Sequence, residues 1–314
     1  MRPRDLKLSL NTLLKSVMAS TPTPTPYRIS TITFNGDLNV YIRRDVFFQN
    51  ATVTENDGEE GFAWMECWMN GNQHIRGIFP KKKTQSKTKR TATATTTTGA
   101  AEGAEPAQPK NKSFDNQISM YYRFRKEYIP HVKLFKNGNI HITGLRSIED
   151  GTFILEQTKG EIERIYKDDP TILVDDAGDI TKLVVSNPIV RLINSDFQIP
   201  FKIRRKELHQ LLIAPPYNTI CSFQPGTYPG VKLEYYWNIR NEQKDGCCRC
   251  ATPCFGKKHA NGQCKKVTVA IFDSGSVLIT GATSHEQVKD AYAYICDVIM
   301  THTDYLKKNI PVLV

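Results

Sequence analysis

Five of the eight cysteines fall within eighteen residues, in Cys247-Cys-Arg-Cys-Ala-Thr-Pro-Cys254 and at Cys264, with His259 between them. Four thiolates can hold Zn²⁺ tetrahedrally, and a loop too polar to build its own core gains folding energy from the metal. Lys257, Lys258, Lys265 and Lys266 favour the thiolate forms. The expected structural ligands are Cys248, Cys250, Cys254 and Cys264. The spacing departs from a double Cys-x-x-Cys, so Cys247 and His259 stand as alternates. A reduced, flexible cysteine-rich loop and, in an oxidising particle, a disulfide staple are the competing readings. Cys67, Cys221 and Cys296 read as ordinary buried or strand cysteines.

Catalytic patterns are missing. The chain has no Gly-rich phosphate loop, no His-Glu-x-x-His helix and no nucleophile elbow, so an enzyme is not expected. Asp168-Asp169 and Asp175-Asp176 stand beside Pro170 and Gly178, where adjacent acids read as solvated turns. The net charge of +10 is uneven: Lys81, Lys82, Lys83, Lys87, Lys89 and Arg90 carry more than half of it in ten residues. Overall basicity therefore argues weakly for nucleic acid unless the folded part has its own basic face. No apolar run approaches the roughly 18 residues that cross a bilayer, and a soluble protein without a membrane partner is expected.

The elements that would position these groups are organised around a duplication. Phe135-Lys-Asn-Gly-Asn-Ile-His-Ile-Thr-Gly144 and Phe272-Asp-Ser-Gly-Ser-Val-Leu-Ile-Thr-Gly281 share the aromatic, the turn Gly and the closing Ile-Thr-Gly. Each copy predicts a strand, a tight turn, a second strand and then a helix. Helices are predicted over Ser147 to Lys167, with Phe153, Leu155, Ile162 and Ile165 inward, and over Ser284 to Met300, with Val288, Ala291, Ile295 and Val298 inward. Shorter helices are expected over Arg44 to Asn50 and Arg204 to Ile213. Strands are expected from Tyr27, over Phe62 to Met69, Arg123 to Tyr128, within Ile180 to Phe201, and over Gly230 to Trp237.

The implied domains are a flexible extension 1–26, a first repeat 27–167, a linker 168–182, a second repeat 183–300 and a tail 301–314. A disordered Lys/Thr/Ala insertion, 80–113, interrupts the first repeat, and the Cys-rich insertion, 239–266, interrupts the second. Met1 to Ser20 reads as a short amphipathic extension and Thr21 to Pro26 as a stiff spacer.

This order, with these phrases, resembles the TATA-binding protein family, particularly the divergent members encoded by large DNA viruses. The resemblance is strongest in Ile271-Phe-Asp-Ser-Gly-Ser-Val-Leu-Ile-Thr-Gly-Ala282, and extends to Tyr228-Pro-Gly-Val-Lys-Leu and Ile29-Ser-Thr-Ile-Thr. It implies an α+β fold: a pseudo-twofold saddle of one curved antiparallel sheet of about ten strands, with helices on the convex face. It also implies a transcription initiation factor that binds double-stranded A·T-rich DNA in the minor groove and kinks it with aromatic wedges. By motif the wedges fall on Phe62, Phe135, Tyr228 and Phe272, and the groove-floor contacts on Ile29, Thr31, His141, Thr143, Leu278 and Thr280.

The chain departs from the family where Tyr27 and Val190 stand in place of the usual Asn, and Asn139 and Ser276 in place of Lys. Binding to A·T-rich DNA is therefore expected over the reading of one strict box. The implied partners are a factor IIB-like protein and the RNA polymerase machinery. The implied location is intracellular, in the nucleus or a cytoplasmic viral factory, with packaging in a virion as a further option. Two alternatives stand beside this function: a transcription-complex scaffold that uses the saddle to bind proteins, and an architectural DNA-bending protein without a promoter role.

Overall fold

The computed structural model describes residues 23–79 apart from 55 and 57, 116–124, 128–174, 179–256 apart from 253, and 263–308. The insertion 80–113, His259, most of the N-terminal extension and the end of the C-terminal tail lie outside the described residues. Among those described, the fold is α+β, with eleven strands and five α-helices. Every strand pair whose register is defined is antiparallel. The chain divides into two compact units, Phe34–Ile189 and Met1–Thr33 with Val190–Val314, here the first and second unit.

In the first unit, the end of β1 (Arg28–Asp37) leads to α1 (Arg44–Asn50), β2 (Gly61–Met69), β3 (Asn72–Gly77), β4 (Gln117–Arg123), β5 (His131–Phe135), β6 (Asn139–Leu145) and α2 (Ile148–Asp168). Their order in the sheet is β3-β2-β4-β5-β6-β1. The second unit holds the start of β1, most of β7 (Ser186–Gln198), α3 (Arg205–Ile213), β8 (Ile220–Ser222), β9 (Val231–Trp237), β10 (Lys265–Ile271), β11 (Ser276–Ala282), α4 (His285–Thr301) and α5 (Thr303–Leu306). Its order is β1-β7-β11-β10-β9-β8.

Each long helix starts where a serine hydroxyl accepts a backbone N–H: Ser147 from Asp150 at 3.1 Å, and Ser284 from Gln287 at 3.4 Å. Ile154, Leu155, Ile162 and Ile165 of α2 are buried, and so are Val288, Ala291, Ile295 and Val298 of α4. Each large aliphatic side chain so buried stabilises the fold by about 1.5–3 kcal/mol relative to exposure. Phe153 departs from expectation. It is 40% exposed, lying against the Tyr122 and Phe124 rings at the edge of the core.

The turn glycines of the repeated phrase have a shared physical cause. Gly138 and Gly275 have φ near +80° and +84°. A Cβ on Gly138 would stand 2.5 Å from the Val40 carbonyl oxygen, and one on Gly275 2.5 Å from those of Ile199 and Phe201. Each turn thus packs its backbone against the segment that follows β1 in the first unit or β7 in the second, which only glycine permits. A second repeated phrase, Ile42-Arg-Arg44 and Ile203-Arg-Arg205, leads into α1 and α3.

Three expectations are corrected. Asn70 and Gly71, both at positive φ, form a hairpin turn rather than an end, and so add β3. The fourth strand spans Gln117–Arg123 rather than Arg123 to Tyr128, and β7 is one long strand where several were expected.

Candidate functional site

Alternation along the strands gives each unit one face packed beneath helices and one that no described helix covers. Along β1, Ile32 and Phe34 are buried while Ile29, Thr31, Thr33 and Asn35 are half-exposed. On this open face lie Ile29, Thr31, Leu278 and Thr280 in the second unit, and His141 and Thr143 in the first. Its acids are engaged. Asp196 accepts from Arg28 at 2.8 Å, Glu234 from Lys266 at 2.9 Å, and Glu66 from Trp68 and Gln73.

At the hairpin end of the second unit, Tyr228 and Phe272 meet with ring centroids 5.8 Å apart at 56°. Gly230 lies beneath them: a Cβ there would stand 2.8 Å from the Tyr228 ring and 3.2 Å from that of Phe272. The Lys232 ammonium sits 3.9 Å from the centroid of the Tyr228 ring, a cation–π contact. Phe135 holds the corresponding position in the first unit, half-buried at the end of β5.

Close to the end of the β9–β10 pair, the Sγ atoms of Cys248, Cys250, Cys254 and Cys264 all lie within 4.8 Å of one another. A tetrahedron of metal–sulfur bonds near 2.3 Å has edges of about 3.8 Å. The Cys250 and Cys264 sulfurs are 3.6 Å apart, so the set fits a four-coordinate ion. The Gly256 N–H donates to the Cys254 sulfur at 3.4 Å, and the Asn238 amide reaches Cys264. The loop is tied down by bonds from Tyr236 N–H to the Gly246 carbonyl and from Lys266 N–H to the Gly256 carbonyl, each 2.9 Å. Burial, then the neighbouring Cys250 and Cys248, push the Cys264 thiol up. Cys247 lies apart, its sulfur 3.4 Å from the Tyr217 carbonyl.

The family model of transcription factor TFIID, or TATA-binding protein, matches residues 255–302, which hold β10, β11 and α4. A TATA-box-binding protein-like protein of Acanthamoeba polyphaga mimivirus is 24% identical over 293 residues, 89% of this chain. The chain is TATA-binding-protein-like, in a divergent form. It spans 66% of the length of that viral relative. Among solved structures, Methanococcus jannaschii TBP aligns with 88% of this chain and 99% of its own, at 14% identity and a TM-score of 0.42.

In this TATA-binding-protein-like chain one expected wedge lies on the wrong face. Phe62 is 4% exposed and packs edge-on against Tyr122, whose ring also meets Phe153 of α2. It belongs to the helix-covered core. Topology explains the misassignment. The order β2-β4-β5-β6-β1 of the first unit runs as β8-β9-β10-β11-β7 does in the second, so β4, not β2, is the counterpart of β9. Ile118 pairs with Leu134 as Val231 pairs with Ile271. Four residues before Ile118 stands Phe114, where Tyr228 stands three before Val231. Phe114 lies outside the described residues.

Sequence reasoning also missed a polar and aromatic group on the open face of the first unit. Tyr121 stacks on His131 at 4.8 Å, with Trp64 and Phe79 around the tyrosine ring. Burial, then the charge of Lys133, lowers His131 to about 4. The Asn35 side-chain oxygen lies 2.7 Å from His141 Nδ1. Strand alternation carries the signal for each of these residues. Only the sheet order reveals that they are neighbours.

Proposed function

We propose that the chain binds A·T-rich double-stranded DNA in the minor groove through the open sheet faces, kinks it, and nucleates assembly of an initiation complex. One observation carries this reading: the Tyr228–Phe272 pair at the edge of a sheet face that no described helix covers, with Phe135 at the same place in the repeated phrase. An aromatic ring entering an opened base step offsets part of the lost base stacking, and flexible pyrimidine–purine steps lower the cost of bending. The wedges proposed are Phe272, Tyr228, Phe135 and, in place of Phe62, Phe114. Ile29, Thr31, Thr143, Leu278 and Thr280 are small or apolar groups suited to a groove floor that presents only acceptors at A·T pairs.

The partners proposed are a factor IIB-like protein and the RNA polymerase machinery, at work in the nucleus or a viral factory. The metal proposed for the four cysteines is Zn²⁺, which favours four thiolates in a closed structural site. A second reading is supported by Asp196, Glu234 and Glu66 on the open faces, acids that suit a basic protein better than phosphate. In that reading the sheet is a scaffold for transcription proteins. Fluorescence-transfer bending of a short A·T-rich duplex separates the two: bending supports the first, and a folded protein that bends no duplex supports the second.

A further inference from the structure

The two units carry different chemistry at equivalent positions of the open face. Counting from the aromatic of the repeated phrase, His141 of β6 stands where β11 has Leu278. The neighbour of Leu278 on β7 is Asp196, held by Arg28, whereas His141 contacts Asn35 on β1. The row continues differently too. Beyond His141 come Lys133, Ser119 and Glu66, while beyond Leu278 comes Ala270.

We propose that the first unit reads one G·C base pair in the minor groove through the His141–Asn35 pair, which receives the guanine 2-amino group. This rests on the DNA-binding reading above and specifies the sequence it favours. A carbonyl oxygen only accepts, so Asn35 Oδ1 at 2.7 Å fixes the proton on His141 Nδ1. In the neutral ring Nε2 is then the acceptor. The Asn35 amide keeps its N–H donors. Together they offer an acceptor for the guanine amino group and a donor for the purine N3 or pyrimidine O2 found at every pair. An apolar side chain such as Leu278 does the reverse, since a guanine amino group pressed against it loses its hydrogen bonds to water and gains none. The Leu278 position is thus restricted to A·T, and the His141 position accepts G·C.

The test scans a single G·C pair, and in parallel an I·C pair lacking the 2-amino group, through an otherwise A·T site, with binding measured for wild type, His141→Leu and Asn35→Ala. His141→Leu carries the residue found at the equivalent position of the second unit, and circular dichroism checks that each variant is folded. At one position wild type is expected to prefer G·C over I·C by roughly 5-fold or more, the scale of a single base-edge contact. In His141→Leu that ratio is expected to fall to about 1, and in Asn35→Ala, where no side-chain oxygen holds the proton on Nδ1, to fall below the wild-type value, whatever their overall affinity. Binding of A·T duplexes with no position preferring G·C over I·C overturns the inference and leaves the DNA-binding reading standing. An unchanged ratio in folded variants also overturns it. Failure of folded wild type to bind any duplex overturns both.

Discussion

Tyr228 and Phe272 come from opposite sides of the β9–β10 ladder, yet their rings stand 5.8 Å apart above a glycine that leaves room for both. Two rings in contact act as one wedge. Replacing either by alanine removes a stacking surface worth about 1–3 kcal/mol, a loss of roughly 5- to 150-fold in affinity for A·T-rich DNA. The Tyr228→Ala, Phe272→Ala double variant is expected to lose less than the product of the single losses, because each single change already disturbs its partner. Equilibrium titration of all four proteins checks this, and strict additivity would show rings acting independently.

Phe62 and Phe114 separate core from site. Phe62→Ala is expected to cost about 3–5 kcal/mol of stability, as for other buried aromatics, while the folded fraction still binds DNA. Phe114→Ala is expected to weaken bending. Urea unfolding paired with a bending assay decides between them, and the opposite pattern would restore Phe62 as the wedge.

The cysteine cluster predicts one tightly held metal ion per chain. Cys250→Ser and Cys264→Ser are expected to abolish it and to lower the melting temperature, as a strong chelator does to the wild type. Cys247→Ser is expected to keep the metal, because that sulfur lies against the Tyr217 carbonyl, outside the cluster. Elemental analysis of the purified variants gives the answer, and metal retained by Cys264→Ser would contradict the ligand set.

His131 makes stability sensitive to acid. Its pKa is lowered to about 4, first by burial, so the unfolded chain takes up this proton below about pH 6.5 and the folded chain does not. The contribution is fully present above the unfolded value and is lost as pH falls towards 4. It amounts to at most about 3 kcal/mol, less for a ring that is only half-buried. His131→Phe keeps a ring against Tyr121 without a titrating group and is expected to lose less stability than wild type between about pH 7 and about pH 5. Parallel slopes for the two proteins in urea unfolding would refute this.

Much of the fold was legible because it is written in local signals. Ser147 and Ser284 announce their helices, the spacing of apolar residues fixes the inner face of α4, and the turn glycines mark both hairpins. The clustering of Cys248, Cys250, Cys254 and Cys264 was also readable, since they crowd one short loop. What failed depended on sheet order, which pairs residues far apart in sequence. Phe62 was placed among the wedges by motif alone, without sheet order. The position of β4 beside β5, matching β9 beside β10, makes β4 rather than β2 the counterpart of β9. The His141–Asn35 contact was hidden for the same reason, joining residues 106 positions apart.

Aromatic insertion from the open faces is the proposed cause of bending in A·T-rich DNA. Energy transfer between the labelled ends of a short duplex, compared for wild type and the Phe135→Ala, Phe272→Ala double variant, tests it most directly. Wild type is expected to shorten the end-to-end distance on an A·T-rich duplex and not on an all-G·C control, and the double variant is expected not to shorten it. Equal bending by the two proteins, or none by a folded wild type, would contradict it.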